Sequence, residues 1–304
     1  MRVLTEGIGS PMWGTQYHFL QKVADRIVTL DVHPYSYGLY IADHGYIVPK
    51  YSAPNCFKKI KEILDEEEIQ VVFPILHEGL GIWASHKEKL ATTGTFVCIS
   101  PPETISICHD KWETYIFFRD HDIPTPQTSL EHEFELLKPR VGRGGVGIKK
   151  VPPGSAHFDM DGYISQKFLY GQEYSVDALC DLHGNVICVV PRKRLTVESG
   201  LSVVGKTVRD TEIEDIAYRI LQAGRFIGPI NMQCFKNSNG IFFTEINPRL
   251  AGGTSLSMHA TENWFSLIFQ MINGKRIKPC SPKDKVIMMR HYTDVIIQEK
   301  DLLS

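Results

Sequence analysis

Apolar positions in residues 1–105 come in short solid runs separated by stretches of helical spacing, the rhythm of a parallel sheet covered on both faces. Arg2-Val3-Leu4-Thr5, Ile27-Val28-Thr29-Leu30-Asp31 and Val71-Val72-Phe73-Pro74-Ile75 read as strands, with helices over Tyr17 to Arg26 and Phe57 to Leu64. Beyond residue 105 the pattern changes. Helical spacing returns at Ile107 to Phe118, Glu212 to Phe226 and Ser257 to Asn273, but period-two alternation fills the rest. Strands are predicted over Tyr163 to Leu169, Glu173 to Cys180, Val186 to Val190 (closing on Arg192-Lys193-Arg194) and Lys285 to Ile297. The expected class is α/β in the first part and α+β in the remainder.

One hairpin organises that remainder. Pro229 to Phe235 and Ile241 to Arg249 both alternate, and Asn237-Ser238-Asn239-Gly240 supplies turn chemistry between them. A three-residue loop, Ser238 to Gly240, pairs Asn237 with Ile241, Gln233 with Glu245 and Asn231 with Asn247. Directly opposed side chains stand about 5 Å apart at Cβ, so Gln233, Glu245 and Asn247 converge on one face. Ile230, Met232 and Cys234 with Phe242, Thr244 and Ile246 form the core face. Amide and carboxylate oxygens suit a hard cation such as Mg²⁺ shared with phosphate oxygens, and Arg249 follows with a planar fork for an anion. The plain alternative is a solvated polar face.

Upstream, Phe134 to Ile148 reads as a strand bearing Lys138 and Arg140, a loop with Gly142, Gly144, Gly145 and Gly147, and a second strand. Such a loop lets backbone N–H groups approach phosphate oxygens while Lys138 and Arg140 add positive charge. It is not a Walker loop, because no Gly-Lys-Ser/Thr and no helix follow. Gly7-Ile8-Gly9-Ser10-Pro11 after the first strand hints at a dinucleotide turn with Asp31 as its acid, but the third glycine is missing. His77-Glu78 stands at the carboxyl edge of the sheet, where open α/β folds bind ligands. Arg192 to Arg194 is either a solvated edge or an anion site on the hairpin's sheet.

Composition narrows the classes. At 304 residues, with 43% hydrophobic and 22% charged, the chain has room for two or three domains of ordinary soluble type. A net charge of −2 gives no basic field for nucleic acid, and no apolar run reaches membrane-span length. Glu6 and the Gly7 to Pro11 turn interrupt the one stretch resembling a leader. The 7 cysteines lack zinc spacing; a Cys180–Cys188 bridge and reduced core thiols are the alternatives, and a cytoplasmic location is expected.

Taken together, Lys111, Lys138 with its glycine loop, Gln166 to Leu169, Gly171-Gln172-Glu173-Tyr174-Ser175-Val176-Asp177 and Gln233…Glu245-Ile246-Asn247-Pro248-Arg249 resemble the ATP-grasp superfamily. The likeness is above all to carbamoyl-phosphate synthase large-chain halves and stand-alone carboxylate–amine ligases. It implies an N-terminal pre-ATP-grasp domain (1–105), a small lid subdomain (106–169) and a C-terminal ATP-grasp domain (170–304). By that resemblance Lys111 and Lys138 would contact ATP phosphates. Gln166, Lys167, Phe168 and Leu169 would line the adenine slot, and Glu173 would take the ribose hydroxyls. Gln233, Glu245 and Asn247 would hold two Mg²⁺ ions, for which Mn²⁺ is an alternative. Arg249, Arg192 and Lys193 would serve the transferred phosphoryl group or the carboxylate. The substrate is expected near Gly9, Ser10, His77, Glu78, Gly252 and Gly253. The segments Gln127 to Phe134 and Pro152 to Gly162 are short for the family's lid helices, so a reduced lid is expected.

The implied activity is ligation. A carboxylate does not react with an amine at neutral pH, because oxide would have to leave. Transfer of the γ-phosphoryl group of ATP gives an acyl phosphate that an amine attacks, and such transfer rests on positioning and charge neutralisation. Two alternatives stay open: phosphorylation of bicarbonate or another acceptor, and a non-catalytic ATP-binding regulator. Small-molecule carboxylate and amine are the expected partners, and a homodimer is compatible with the sequence.

Overall fold

The computed structural model describes residues 1–154, 158–198 and 201–303. They form two compact units, Met1–Ser100 with Glu262–Ile277 and Arg290–Ser304, and Pro101–Thr261 with Lys278–Met289.

The first unit is built on a parallel five-stranded sheet. Its strands are β1 (Arg2–Glu6), β2 (Arg26–Asp31), β3 (His44–Ile47), β4 (Val71–Phe73) and β5 (Phe96–Val97), in the order β3-β2-β1-β4-β5. Val3, Leu4, Ile27, Val28, Val71 and Val72 are buried, as solid apolar runs between helices require. The helix Cys56–Glu66 buries Ile60, Ile63 and Leu64, and Leu80–Ala91 buries Trp83 and Leu90. Trp264–Ile272 also belongs to this unit, with Phe265 edge-on to Phe73 at 4.9 Å between ring centres. The first helix runs over Trp13–Leu20, earlier than the expected Tyr17 to Arg26, because Arg26 already enters β2.

Two antiparallel sheets make the second unit. The smaller has β6 (Thr128–Ser129), β7 (Leu136–Pro139), β8 (Lys149–Lys150) and β9 (Tyr163–Gln166) in the order β6-β9-β7-β8. The larger has β10 (Gln172–Cys180), β11 (Val186–Glu198), β12 (Leu201–Thr207), β13 (Gly228–Asn237), β14 (Gly240–Asn247) and β15 (Ile287–Met289), in the order β14-β13-β10-β11-β12-β15. One face of the larger sheet carries Val176, Ala178, Val189, Met232 and Phe243 against Ile213, Ala217, Ile220 and Leu221 of the helix Thr211–Ala223. The opposite face carries Asp177, Arg192, Asn231, Gln233 and Glu245. No helix occurs within 127–134 or 152–162 among the described residues. None of the described helices is long and apolar enough to cross a membrane.

Several elements differ from the periodicity. The expected helix Ile107 to Phe118 is two, Pro102–His109 and Lys111–Asp120, because the Asp110 carboxylate accepts the Trp112 N–H and starts a new helix. Asn263 does the same for Phe265, so Ser257 to Asn273 divides into Thr254–Ala260 and Trp264–Ile272. Strand β11 runs on to Glu198 and pairs with β12, which periodicity missed, and the last strand shrinks to Ile287–Met289.

Candidate functional site

The β13–β14 hairpin closes with a tighter loop than expected. Asn237 pairs with Gly240, leaving Ser238 and Asn239 as a two-residue loop, and the Asn237 side chain bends it by accepting the Asn239 N–H at 2.8 Å. That slips the register by one residue. A bulge restores it: Cys234 faces Phe243 but Gln233 faces Glu245, with Thr244 the extra residue. Phe243 and Ile241 therefore join Ile246 as the core residues of β14, in place of Phe242 and Thr244. On the polar face Gln233 stands opposite Glu245 and Asn231 opposite Asn247. Asn247 donates Nδ2–H to Glu245 Oε1 at 3.0 Å and accepts from Arg249 Nη2 at 3.3 Å.

Two lysines, Lys138 of the smaller sheet and Lys111 at the start of the helix Lys111–Asp120, face this group. The Lys111 N–H donates to the Arg140 carbonyl at 2.9 Å, and its ammonium to the Gly142 carbonyl at 3.1 Å. Lys138, on β7, donates to Gln166 Oε1 at 2.7 Å, and Gln166 Nε2 is held by Thr128. Burial pulls the Lys138 ammonium down to about 8, against the pull of the Glu245 carboxylate, and lowers Lys111 as well. Gly144 and Gly145 have φ of 66° and 74°, so the loop above them turns through a conformation that side chains resist.

These elements enclose a cavity of about 480 Å³, within the range of ligand sites. Lys111, Lys138, Gly142, Gly144 and Gly145 line it, as do Gln166, Lys167, Phe168, Leu169 and Glu173. So do Gln233, Glu245, Asn247, Arg249 and Gly252. Sequence reasoning did not assign Arg143 or Asn231, and offered Arg194 only within the run Arg192 to Arg194 as an anion site; all three line it too. Alternation puts Arg194 on the face of Arg192, and Asn231 was detectable as the partner of Asn247. The cavity walls hold six cations (Lys111, Lys138, Arg143, Lys167, Arg194, Arg249) and two carboxylates, Glu173 and Glu245. On the hairpin side its oxygen donors are the amides of Asn231, Gln233 and Asn247 and the acid Glu245, and the wall holds no thiol or imidazole, a set that fits Mg²⁺. Among the described residues no three His, Cys, Asp or Glu side chains gather elsewhere into a metal cluster.

Four expected residues of the second unit, Arg140, Arg192, Lys193 and Gly253, lie outside the cavity wall. Arg140 turns to Asp110, with Nε 3.0 Å from Oδ2, and so fixes the start of the Lys111 helix. Lys193 pairs across the strands with Tyr174, which packs on the core face, so alternation aims it away. Arg192 is 2% exposed and donates Nε and Nη2 to Asp177 at 2.8 and 3.0 Å. Asp177 also accepts from Asn231 Nδ2 at 2.7 Å and Ser257 Oγ at 2.6 Å. Because a carboxylate only accepts, Asn231 must turn its amide nitrogen down to Asp177, which leaves Oδ1 as the acceptor on the cavity side. Gly253 lies against Arg192: a Cβ there would stand 2.2 Å from Nη1. Gly253→Ala is expected to lower stability by about 2–3 kcal/mol, read as a fall in the urea midpoint at constant m.

Gly9, Ser10, His77 and Glu78 belong to the first unit. The Tyr37 hydroxyl donates to the Ser10 carbonyl and accepts the Gly14 N–H at 2.7 Å, capping the Trp13–Leu20 helix that a dinucleotide turn would leave open for phosphate. Asp31 Oδ1 accepts the Val32 and His33 N–H groups. Ser36 Oγ closes over Gly9, 2.7 Å from where a Cβ would be. His77 is buried and Glu78 exposed in the turn His77–Gly79. All seven cysteines are thiols, so no Cys180–Cys188 bridge forms.

Comparison with known proteins places this geometry. Residues 159–295 match the family described as ATP-grasp in the biosynthetic pathway with Ter operon, and residues 14–98 match the PylC-like N-terminal domain. The biotin carboxylase domain of Hydrogenobacter thermophilus 2-oxoglutarate carboxylase, solved with MgADP, ADP and bicarbonate, is similar at TM-score 0.71 and 13% identity over 94% of this chain and 73% of that one. N5-carboxyaminoimidazole synthetase from Staphylococcus aureus, complexed with ADP, gives TM-score 0.72 and 15% identity over 93% and 79%. The L-amino acid ligase of Bacillus licheniformis gives 0.70 and 14% over 89% and 73%. The chain thus has the ATP-grasp fold and carries an ATP-grasp domain preceded by a PylC-like N-terminal domain.

Proposed function

We propose that the chain is an ATP- and magnesium-dependent ligase that activates a small-molecule carboxylate and joins it to an amine, releasing ADP and phosphate. The observation that carries this reading is charge: six cations and two carboxylates line one cavity of a protein whose formal net charge is −2. A triphosphate is the common metabolite that matches such a concentration of cations. Lys111 and Lys138 hold phosphate oxygens, the glycine loop covers them, and Gln166 to Leu169 line the base slot. Gln233, Glu245 and Asn247 would hold Mg²⁺, as two ions with Mn²⁺ able to replace them. When bound, the metal neutralises charge developing on the transferred group. Arg249, fixed by Asn247 and the Leu250 carbonyl, orients the carboxylate that attacks the γ-phosphorus. That attack breaks the bond to the β-phosphate oxygen. The amine then attacks the acyl carbon, phosphate leaves and the nitrogen loses a proton. Thiols at all seven cysteines suit a reducing cytoplasm.

The test is ADP release from Mg-ATP in the presence of mixed amino acids and carboxylates, with a thermal-shift screen beside it. A nucleotide at a hundred times its dissociation constant adds about 2.7 kcal/mol. Binding without turnover on any mixture would instead mark a regulatory ATP-binding protein.

A pH dependence also follows. Lys138 titrates at about 8 in the free protein, and a polyphosphate beside it restores the ammonium. Binding therefore takes up a proton above pH 8, and affinity is full below that value and lost as pH rises through it. Metal-free ADP should bind about fivefold more weakly at pH 9 than at pH 8. Calorimetry on Lys138→Arg, whose guanidinium stays charged, should give a flat profile over that range.

A further inference from the structure

Six of the seven cysteines are buried, and Cys280 alone is half-buried. It stands in the run Lys278-Pro279-Cys280-Ser281-Pro282-Lys283, where both lysines are exposed and their charge favours a thiolate between them. The Cys280 N–H donates to the Ile187 carbonyl at 2.9 Å, which lays this segment along β11 with Cys280 beside Cys188. A second anchor follows at Lys283, whose N–H donates to the Ala260 carbonyl at 2.8 Å and whose carbonyl accepts the Thr207 hydroxyl at 2.8 Å. The two sulfurs meet between β11 and the segment, where the Cys188 thiol is hydrogen-bonded to Cys280. That bond and burial hold the proton on Cys188, which leaves the accessible Cys280 as the nucleophile. Cys180 offers no rival pairing. It stands opposite Val186 while Cys188 stands opposite Leu179, and its side chain belongs to the apolar core.

We propose that Cys188 and Cys280 form a redox-active dithiol, a modification site that low-molecular-weight disulfides such as glutathione disulfide oxidise reversibly to a Cys188–Cys280 bridge. The Cys280 thiolate attacks one sulfur of the small disulfide. That S–S bond breaks, and the first half leaves as a thiol carrying the proton that Cys280 lost. Cys188 then displaces the second half from Cys280 and passes its own proton to it. Two protein thiols are oxidised and one small disulfide is reduced to two thiols. The bridge fastens the exposed run around Cys280 to β11 and closes a loop spanning residues 188 to 280, which constrains the unfolded chain. This site is independent of the nucleotide reading of the cavity.

The test equilibrates the folded wild type, Cys188→Ser and Cys280→Ser in graded mixtures of glutathione and glutathione disulfide, quenches with an alkylating agent and maps the peptides by mass spectrometry. In the wild type one bridge should form, joining the Cys188 and Cys280 peptides, with the other five thiols alkylated. Dithiothreitol should reverse it. Cys188→Ser lacks the second sulfur, so its oxidation should stop at a glutathione adduct on Cys280, and Cys280→Ser should take up neither bridge nor adduct. The oxidised wild type should melt about 4 °C or more above the reduced form, a difference absent in both variants. A wild type that keeps seven thiols in the most oxidising mixture overturns the proposal. So does a bridge from Cys188 to Cys180, or a Cys188–Cys280 bridge that appears only after unfolding in urea. A Cys188→Ser protein with no adduct on Cys280 removes that thiol as the point of attack.

Discussion

Glu245→Gln is expected to lower ADP release by about 10²–10³-fold while leaving the melting temperature close to that of the wild type. The amide is isosteric with the carboxylate, and its oxygen can still accept the Asn247 Nδ2–H that Glu245 Oε1 accepts at 3.0 Å. What disappears is the negative charge. Glu245 is the one acid on the hairpin's cavity face, where Gln233 and Asn247 contribute dipoles but no charge, so its loss removes the strongest donor to a divalent cation. The same carboxylate holds up the ammonium forms of Lys138 and Lys111 against burial. In Glu245→Gln the pH above which metal-free ADP binding weakens should therefore move below 8. A variant that turned over normally, with ADP binding titrating at the wild-type pH, would remove Glu245 from the site.

The sequence made this acid legible because two independent signals agreed. Alternation gave the face, and the Asn-Gly loop gave the register. The agreement was partly fortunate. The loop holds two residues rather than three, and the Thr244 bulge then returns Gln233 to Glu245. Nothing in the string Ile241-Phe242-Phe243-Thr244 distinguishes these routes, since either face offers apolar residues; the choice is made by Phe243 packing into the core. Helix breaks were readable only in retrospect. Asp110 and Asn263 are good N-caps, but inside a continuous apolar period a cap residue looks like one more polar position. The parallel sheet, by contrast, was plain from its solid apolar runs, because strands buried on both faces admit few other patterns. Arg140 and Arg192 expose the limit of reading cations by composition. Each sits beside the cavity in sequence, yet each is committed to an aspartate, Asp110 or Asp177, that only the tertiary fold brings near.

Asp177 is where that hidden pairing has its largest expected consequence. Asp177→Ala should lower unfolding stability by about 3–5 kcal/mol, because it leaves the Arg192 guanidinium buried without its partner. Asp177→Asn should be nearly as severe. All four side-chain partners, Arg192 Nε and Nη2, Asn231 Nδ2 and Ser257 Oγ, are donors, so an amide NH₂ must face at least one of them. Chemical denaturation measures both losses. Pairing Asp177→Leu with Arg192→Met, which removes the two charges together, should recover more than half of the alanine loss, since uncompensated charge rather than lost attraction is the dominant cost. Stability restored in this way should not restore function. Asn231 would lose the acceptor that turns its Nδ2 away from the cavity, and the Gly252-Gly253 turn would lose the guanidinium packed beneath it. The rescued double variant is therefore expected to unfold at a denaturant concentration well above that of Asp177→Ala yet release ADP at least about tenfold more slowly than the wild type. Full activity in that variant would confine Asp177 and Arg192 to holding the sheet together.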